Sequence, residues 1–307
     1  MFQLYAAIWR VSGRRQIILI ILSIAVAALA AVPLGFQKEI INGLTDSELD
    51  RAGLYRLCGG MLAMILFSLL LKWLLGYRAS ILGEDVVRML RARIYGNAIE
   101  AGPERDIQVG TLATMISAEA EELGKFTGNA FSEPVVQIGT LISVIGFIAA
   151  TQPFLGAIAL FMIVPQVILV LGTQGQVNRL VGERVHVLRH ATDKCATTNF
   201  DQFNQGVVDD FDTIFETRRS IFIWKLSTKF LLSAINGAGM VGVLALGGAF
   251  VISGETDVGT VVAATIGLGR LQGPTGFLIA FYRQVSATRV KYELLRDSTL
   301  PRKTQTQ

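Results

Sequence analysis

Residues 174–229 place two polar, charged arms between two apolar runs, 155–172 and 230–252, each long enough to cross a bilayer. The arms are amphipathic: Val177, Val181, Val185 and Leu188 recur along one side of the first, and Phe211, Phe215, Ile221 and Phe222 along the second. That spacing predicts two helices whose apolar faces bury against each other. Between them, residues 195–206 are rich in Asn, Asp, Thr and Gln, whose side chains compete for backbone hydrogen bonds, and a turn is expected there. No proline lies between Pro165 and Pro274, so nothing stops either helix where it leaves the lipid. An arm of roughly 25 residues then reaches roughly 35–40 Å into water, at about 1.5 Å per residue.

The remainder of the 307 residues repeats this arrangement. Apolar runs at 17–34, 54–77, 131–150 and 258–282 complete a set of six, and the connections alternate short, long, short, long, short. With 51% hydrophobic and 17% charged residues and a mean hydropathy of +0.50, the chain is more apolar than a soluble domain. The expected fold is an all-α membrane protein of six long helices with two extended cytoplasmic hairpins. One domain spans 1–300 and a polar tail spans 301–307. Two cysteines, Cys58 in an apolar run and Cys195 in the polar turn, suggest no disulfide framework.

Charge sets the orientation. The long connections hold Arg78, Arg88, Arg91, Arg93, Arg105 and Lys125, then Arg179, Arg184, Arg189, Lys194, Arg218, Arg219, Lys225 and Lys229, while the turns after the third and fifth runs hold no Lys or Arg. The positive-inside rule therefore puts both termini and both hairpins in the cytoplasm of a cell inner or plasma membrane. The net charge of +4 is explained by these flanking residues and implies no nucleic-acid partner. Residues 1–15, with Arg10, Arg14 and Arg15, read as an amphipathic helix on the inner surface. A signal peptide cleaved near Ala28-Leu29-Ala30 is disfavoured by the long leader containing Trp9 and by the length of the run that follows.

Layout and local sequence together resemble the transmembrane domain of type I ABC exporters. The matching pieces are GEDVVRMLRAR at 83–93, GTLATMI at 110–116, and GGAFVISG at 247–254 followed by VGTVV at 258–262. The resemblance implies a dimer, homomeric or heteromeric, of two transmembrane halves resting on nucleotide-binding ATPase subunits and rocking between inward-open and outward-open states. Carried over by position, the turn with Ala101, Gly102, Pro103 and Asp106 is the first coupling element. Residues 195–206, with Phe200, Asp201 and Phe203, are the second. No Gly-x-x-x-x-Gly-Lys-Ser/Thr loop occurs, so the chain is expected not to be an enzyme and to hold no cofactor; ATP and Mg²⁺ would sit on a partner ATPase encoded separately.

Among single residues Arg270 stands out, because a charge near the middle of an apolar run costs several kcal/mol unless it meets a partner or a wet cavity. The reading is a substrate cavity of Arg270 with Gln272 and Asn236; the plainer alternative is a structural salt bridge or snorkelling. Glu133 is placed too near the cytoplasmic face to pair with it. His186 and His190, with Glu183 and Cys195 nearby, lie four apart on one arm, a spacing that surface histidines often share, and no metal is assigned. Asp209, Asp210, Asp212 and Glu216 are expected to favour the positive end of the ascending helix. Gly124-x-x-x-Gly128 and Gly269-x-x-x-Gly273 would allow close helix approach.

Two other functions compete with the permease. An ion-coupled secondary transporter should carry carboxylates at mid-membrane, and the runs offer only Glu133. A non-transporting or regulatory membrane partner of another transporter half is the remaining alternative.

Overall fold

A computed structural model of the chain describes residues 2–100, 112–113, 115–197 and 205–299. All the regular structure among them is helical. α1 (Phe2–Ala28) and α2 (Val32–Thr45) are followed by α3 (Arg51–Glu100), a π-helical turn (Met115–Glu119), α4 (Ala120–Asn129), α5 (Ser132–Thr151), α6 (Pro153–Thr197), α7 (Gln205–Ile252) and α8 (Val258–Thr299).

The first run differs from expectation in two ways. α1 is continuous from Phe2, so residues 1–15 form no separate surface helix, and a break falls at 29–31, inside the run. Pro33, in the first turn of α2, explains the break, since it has no N–H to donate to Leu29. The chain turns instead through Ala30 N–H to Ala27 O at 3.1 Å and Leu34 N–H to Ala31 O at 2.9 Å. α2 then carries the helix on to Thr45, so the connection to α3 is confined to 46–50. The hairpin turn is narrower too: Cys195–Thr197 still belong to α6 and Gln205 already opens α7.

Among the described residues five helical stretches are long and apolar enough to cross a membrane: Gln3–Thr45, Arg51–Glu100, Met115–Thr151, Pro153–Leu188 and Gln205–Ile252. The all-α membrane fold is thereby established. α8 is not among the five, because Arg270, Gln272 and a series of glycines dilute its apolar character. Side chains such as Leu66, Leu70, Phe161, Ile168 and Val241 point outward with more than half their surface exposed, as lipid-facing residues do.

Among the described residues three apolar clusters hold the helices together, the smallest being Leu19 of α1 with Leu75, Ala79 and Leu82 of α3. Leu34, Val144, Ile148, Leu155, Val243 and Val261 join α2, α5, α6, α7 and α8. Leu4, Ile94, Leu123, Phe126 and Phe281 join the start of α1, the end of α3, α4 and the end of α8, with Phe126 stacked on Phe281 at 5.8 Å. The glycine pair expected to permit close approach does so in α4. A Cβ on Gly124 would lie 2.8 Å from Gly83 O and collide with Val87, and one on Gly128 would collide with Ala79 O, so α4 lies backbone to backbone on α3. At Gly269 and Gly273 a Cβ would meet nothing within 4 Å; those two face open space rather than a helix.

α8 begins at a polar cluster. Asp257 Oδ1 accepts from Thr260 N–H at 2.6 Å and from Asn42 Nδ2 at 2.8 Å, and its Oδ2 lies 3.4 Å from Lys38 Nζ. Asn42 Oδ1 in turn accepts from Gly259 N–H at 2.7 Å, tying the end of α2 to the first turn of α8.

The amphipathic arms pair along α6 and α7 but do not bury their apolar faces as expected. Val177 and Ile221 are buried, whereas Leu188, Phe211, Phe215 and Phe222 stay exposed, Phe215 at 64%. The acidic residues of the ascending arm also act otherwise than expected. They lie beyond the first turn of α7, where the helix dipole has little reach, and Asp210 faces His190 at 3.2 Å while Glu216 faces Arg219 at 3.5 Å. Glu183 pairs with Arg179, so His190 and Glu183 serve separate contacts.

A charged cavity between α1, α3, α5 and α8

The break at 29–31 and the middle of α8 meet across a cavity of about 740 Å³. Its lining includes Leu29, Ala30 and Pro33 at the break, Ser68, Leu69 and Lys72 of α3, Glu133 and Gln137 of α5, and Gly269, Arg270, Gly273 and Pro274 of α8. The open space at Gly269 and Gly273 belongs to this wall. Without side chains there, α8 leaves room instead of packing.

Arg270 is half-buried and donates from Nη1 to Ala30 O at 3.1 Å. That carbonyl lies where the helix is interrupted, so neither the salt bridge nor the snorkelling considered for Arg270 describes it. The guanidinium caps a helix break, and a fork of five N–H donors retains others beside the cavity.

Glu133 lines the same cavity and, among the described residues, does not pair with Arg270. Its Oε2 accepts from Gln137 Nε2, one turn on, at 3.4 Å. Lys72 was not anticipated, although it carries the same signal as Arg270, a charge inside an apolar run. Among the described residues Lys72, Glu133 and Arg270 form no ion pair with one another. Three charges, two positive and one negative, therefore share one cavity wall.

Gln272 and Asn236 do not join them. They line a separate depression of about 240 Å³ between α7 and α8, with Ser233, Thr265 and Gly269. Asn236 Oδ1 accepts from Gln166 Nε2 at 2.9 Å, bridging α6 and α7. The trio read from sequence thus splits across α8, with Arg270 on one side and Gln272 and Asn236 on the other. Ala101, Gly102, Pro103 and Asp106, and likewise Phe200, Asp201 and Phe203, lie outside the described residues.

The family model for the ABC transporter transmembrane region matches residues 16–180, more than half of the chain, from α1 into the descending arm of α6. The chain belongs to this family. No curated protein matches it significantly. Within the ABC transporter transmembrane region, the matched residues include Lys72, Glu133 and the helix break, while Arg270 stands beyond them. An ABC transmembrane region works in general with an ATPase and a second transmembrane region, and the match is to the membrane region rather than to an ATPase domain.

Proposed function

We propose that this chain is the permease half of an ATP-driven ABC exporter, with its ATPase on a separate subunit and a second transmembrane half completing the pathway. The observation that carries this reading is the charged cavity inside an ABC transmembrane region, a wall that a purely structural subunit has no need to keep. In this reading residues 1–300 act as one domain, α8 is the sixth crossing, and both termini are cytoplasmic. Substrate meets the membrane path at Arg270, with Gln272 and Asn236 lining a second polar surface between α7 and α8.

Two further features favour partners. Phe211 and Phe215 are exposed in α7, roughly 20–30 Å before the apolar run that starts at 230, so bilayer lipid does not cover them, and a second transmembrane half would. No phosphate-binding loop occurs in the 307 residues, and in this reading ATP and Mg²⁺ are held by the ATPase subunit. That subunit docks on the turn with Ala101, Gly102, Pro103 and Asp106 and on Phe200, Asp201 and Phe203, where the two aromatics act as interface anchors.

Inside-out vesicles holding the chain and its ATPase should accumulate labelled amphiphilic peptides only with hydrolysable ATP. Accumulation driven by an ion gradient would indicate a secondary transporter, and none under either condition would indicate a regulatory partner.

A further inference from the structure

Charges in a membrane wall are stabilised most simply by pairing with one another. This fold does not pair them: Glu133 is held by the neutral Gln137, Arg270 by the carbonyl of Ala30, and Lys72 is exposed with no ion pair among the described residues. Each therefore keeps hydrogen-bonding capacity on the wall that it shares with the others. The volume of about 740 Å³ lies within the range of roughly 300–1,000 Å³ typical of sites for drug-sized molecules. Leu29, Leu69 and Val136 add apolar surface to the same wall.

The mixture of signs narrows the occupant. A simple anion would be drawn to Arg270 and Lys72 but repelled by Glu133, and a simple cation would meet two like charges. A neutral apolar molecule would leave all three charges desolvated and uncompensated. We propose that the cavity between α1, α3, α5 and α8 binds a dipolar amphiphile, with its carboxylate or phosphate at Arg270 and Lys72, its ammonium at Glu133, and its apolar body along Leu29, Leu69 and Val136. That the occupant is the transported cargo rests on the permease reading; that it binds does not. Either a soluble peptide with free termini or a lipid with an amine headgroup supplies this chemistry.

The test is equilibrium binding to the full chain in dodecyl maltoside, whose headgroup is uncharged. The probes are tri-leucine with free termini, N-acetyl-tri-leucine, tri-leucine amide, the doubly capped peptide and lysophosphatidylethanolamine. At least one dipolar probe should bind at least tenfold more tightly than the doubly capped peptide. Which of the two it is identifies a soluble or a lipid source. Glu133→Gln should weaken that probe about tenfold while leaving N-acetyl-tri-leucine unchanged or tighter. Lys72→Gln should weaken probes bearing an acidic group and spare tri-leucine amide. These two substitutions carry the test because Arg270 also caps the helix break; melting temperatures check that each variant is folded. Binding by neither dipolar probe, equal binding of the doubly capped peptide, or equal weakening of every probe by either variant would overturn the proposal. Probe binding needs no ATP. Absence of ATP-driven flux with the charge pattern intact would count against the permease reading alone, and flux without the pattern against this proposal alone.

Discussion

Arg270 Nη1 and Ala30 O, 240 residues apart in sequence, are joined by a hydrogen bond of 3.1 Å that links the middle of α8 to the break between α1 and α2. The break exists because Pro33 cannot donate to Leu29 O; there Leu34 N–H turns to Ala31 O, and Arg270 supplies the donor that Ala30 O then lacks. Arg270→Ala should therefore lower stability by about 1.5–3 kcal/mol, as expected for a lost hydrogen bond to a charged group. In a Pro33→Ala background the helix regains an N–H and can run through, so the same substitution should cost at least about 1 kcal/mol less. Melting of the four proteins in one detergent measures this coupling, and equal costs in both backgrounds would refute the capping role.

The contact between α3 and α4 predicts a contrast among glycines. Gly124→Ala would drive a methyl group into Gly83 O and Val87, where backbone cannot yield, and should cost about 1–3 kcal/mol. Gly269→Ala meets open space and should be neutral or stabilising by up to about 1 kcal/mol. Thermal melts that rank the two the other way would contradict the packing described.

Asp257 gives a pH dependence. Burial pushes its carboxyl up, but hydrogen bonds from Asn42 and Thr260 and the charge of Lys38 outweigh burial and hold it below the usual carboxylate range. A depressed native value means that its contribution is complete above the ordinary carboxylate pKa and is lost as pH falls through the depressed one. Asp257→Asn should lower the melting temperature at pH 7 and reduce the loss seen on acidification. An unchanged acid profile would show that the cluster does not contribute.

Membrane sidedness follows from the positive arms. In a background of Cys58→Ser and Cys195→Ser, cysteines at Asp46 and Ser253 should react with an impermeant reagent added outside intact cells, and one at Gln205 should be protected. Ser253 is preferred to Gly254, whose φ of 76° a side chain would strain. The reverse pattern would invert the topology.

Much of the architecture was legible because apolar runs and scarce prolines leave a chain few choices: α3 and α7 run long where no proline interrupts them, and α6 continues through Pro165. The break at 29–31 was signalled by Pro33 alone, inside a run that composition reads as uniform. The cavity was half legible. Charges such as Arg270 can be seen from their surroundings in sequence, but whether Glu133 shares a wall with it depends on how α5 crosses α8, which no periodicity encodes. Gln272, two residues from Arg270, turns to the other side of the helix for the same reason that neighbours on a helix do not share a face. The arms' phenylalanines were recognised as apolar, yet Phe211, Phe215 and Phe222 stay exposed among the described residues.

The central claim, that this is a permease half driven by a separate ATPase, is tested most directly by ATPase activity in the complex purified through this chain in mild detergent. The account predicts vanadate-sensitive hydrolysis that Phe200→Ala with Phe203→Ala lowers at least tenfold while the chain keeps its melting temperature. An intact, folded chain that brings down no ATPase activity, or activity that the double substitution leaves unchanged while a large fall in melting temperature shows the rings to be part of the hairpin's own core, would contradict it.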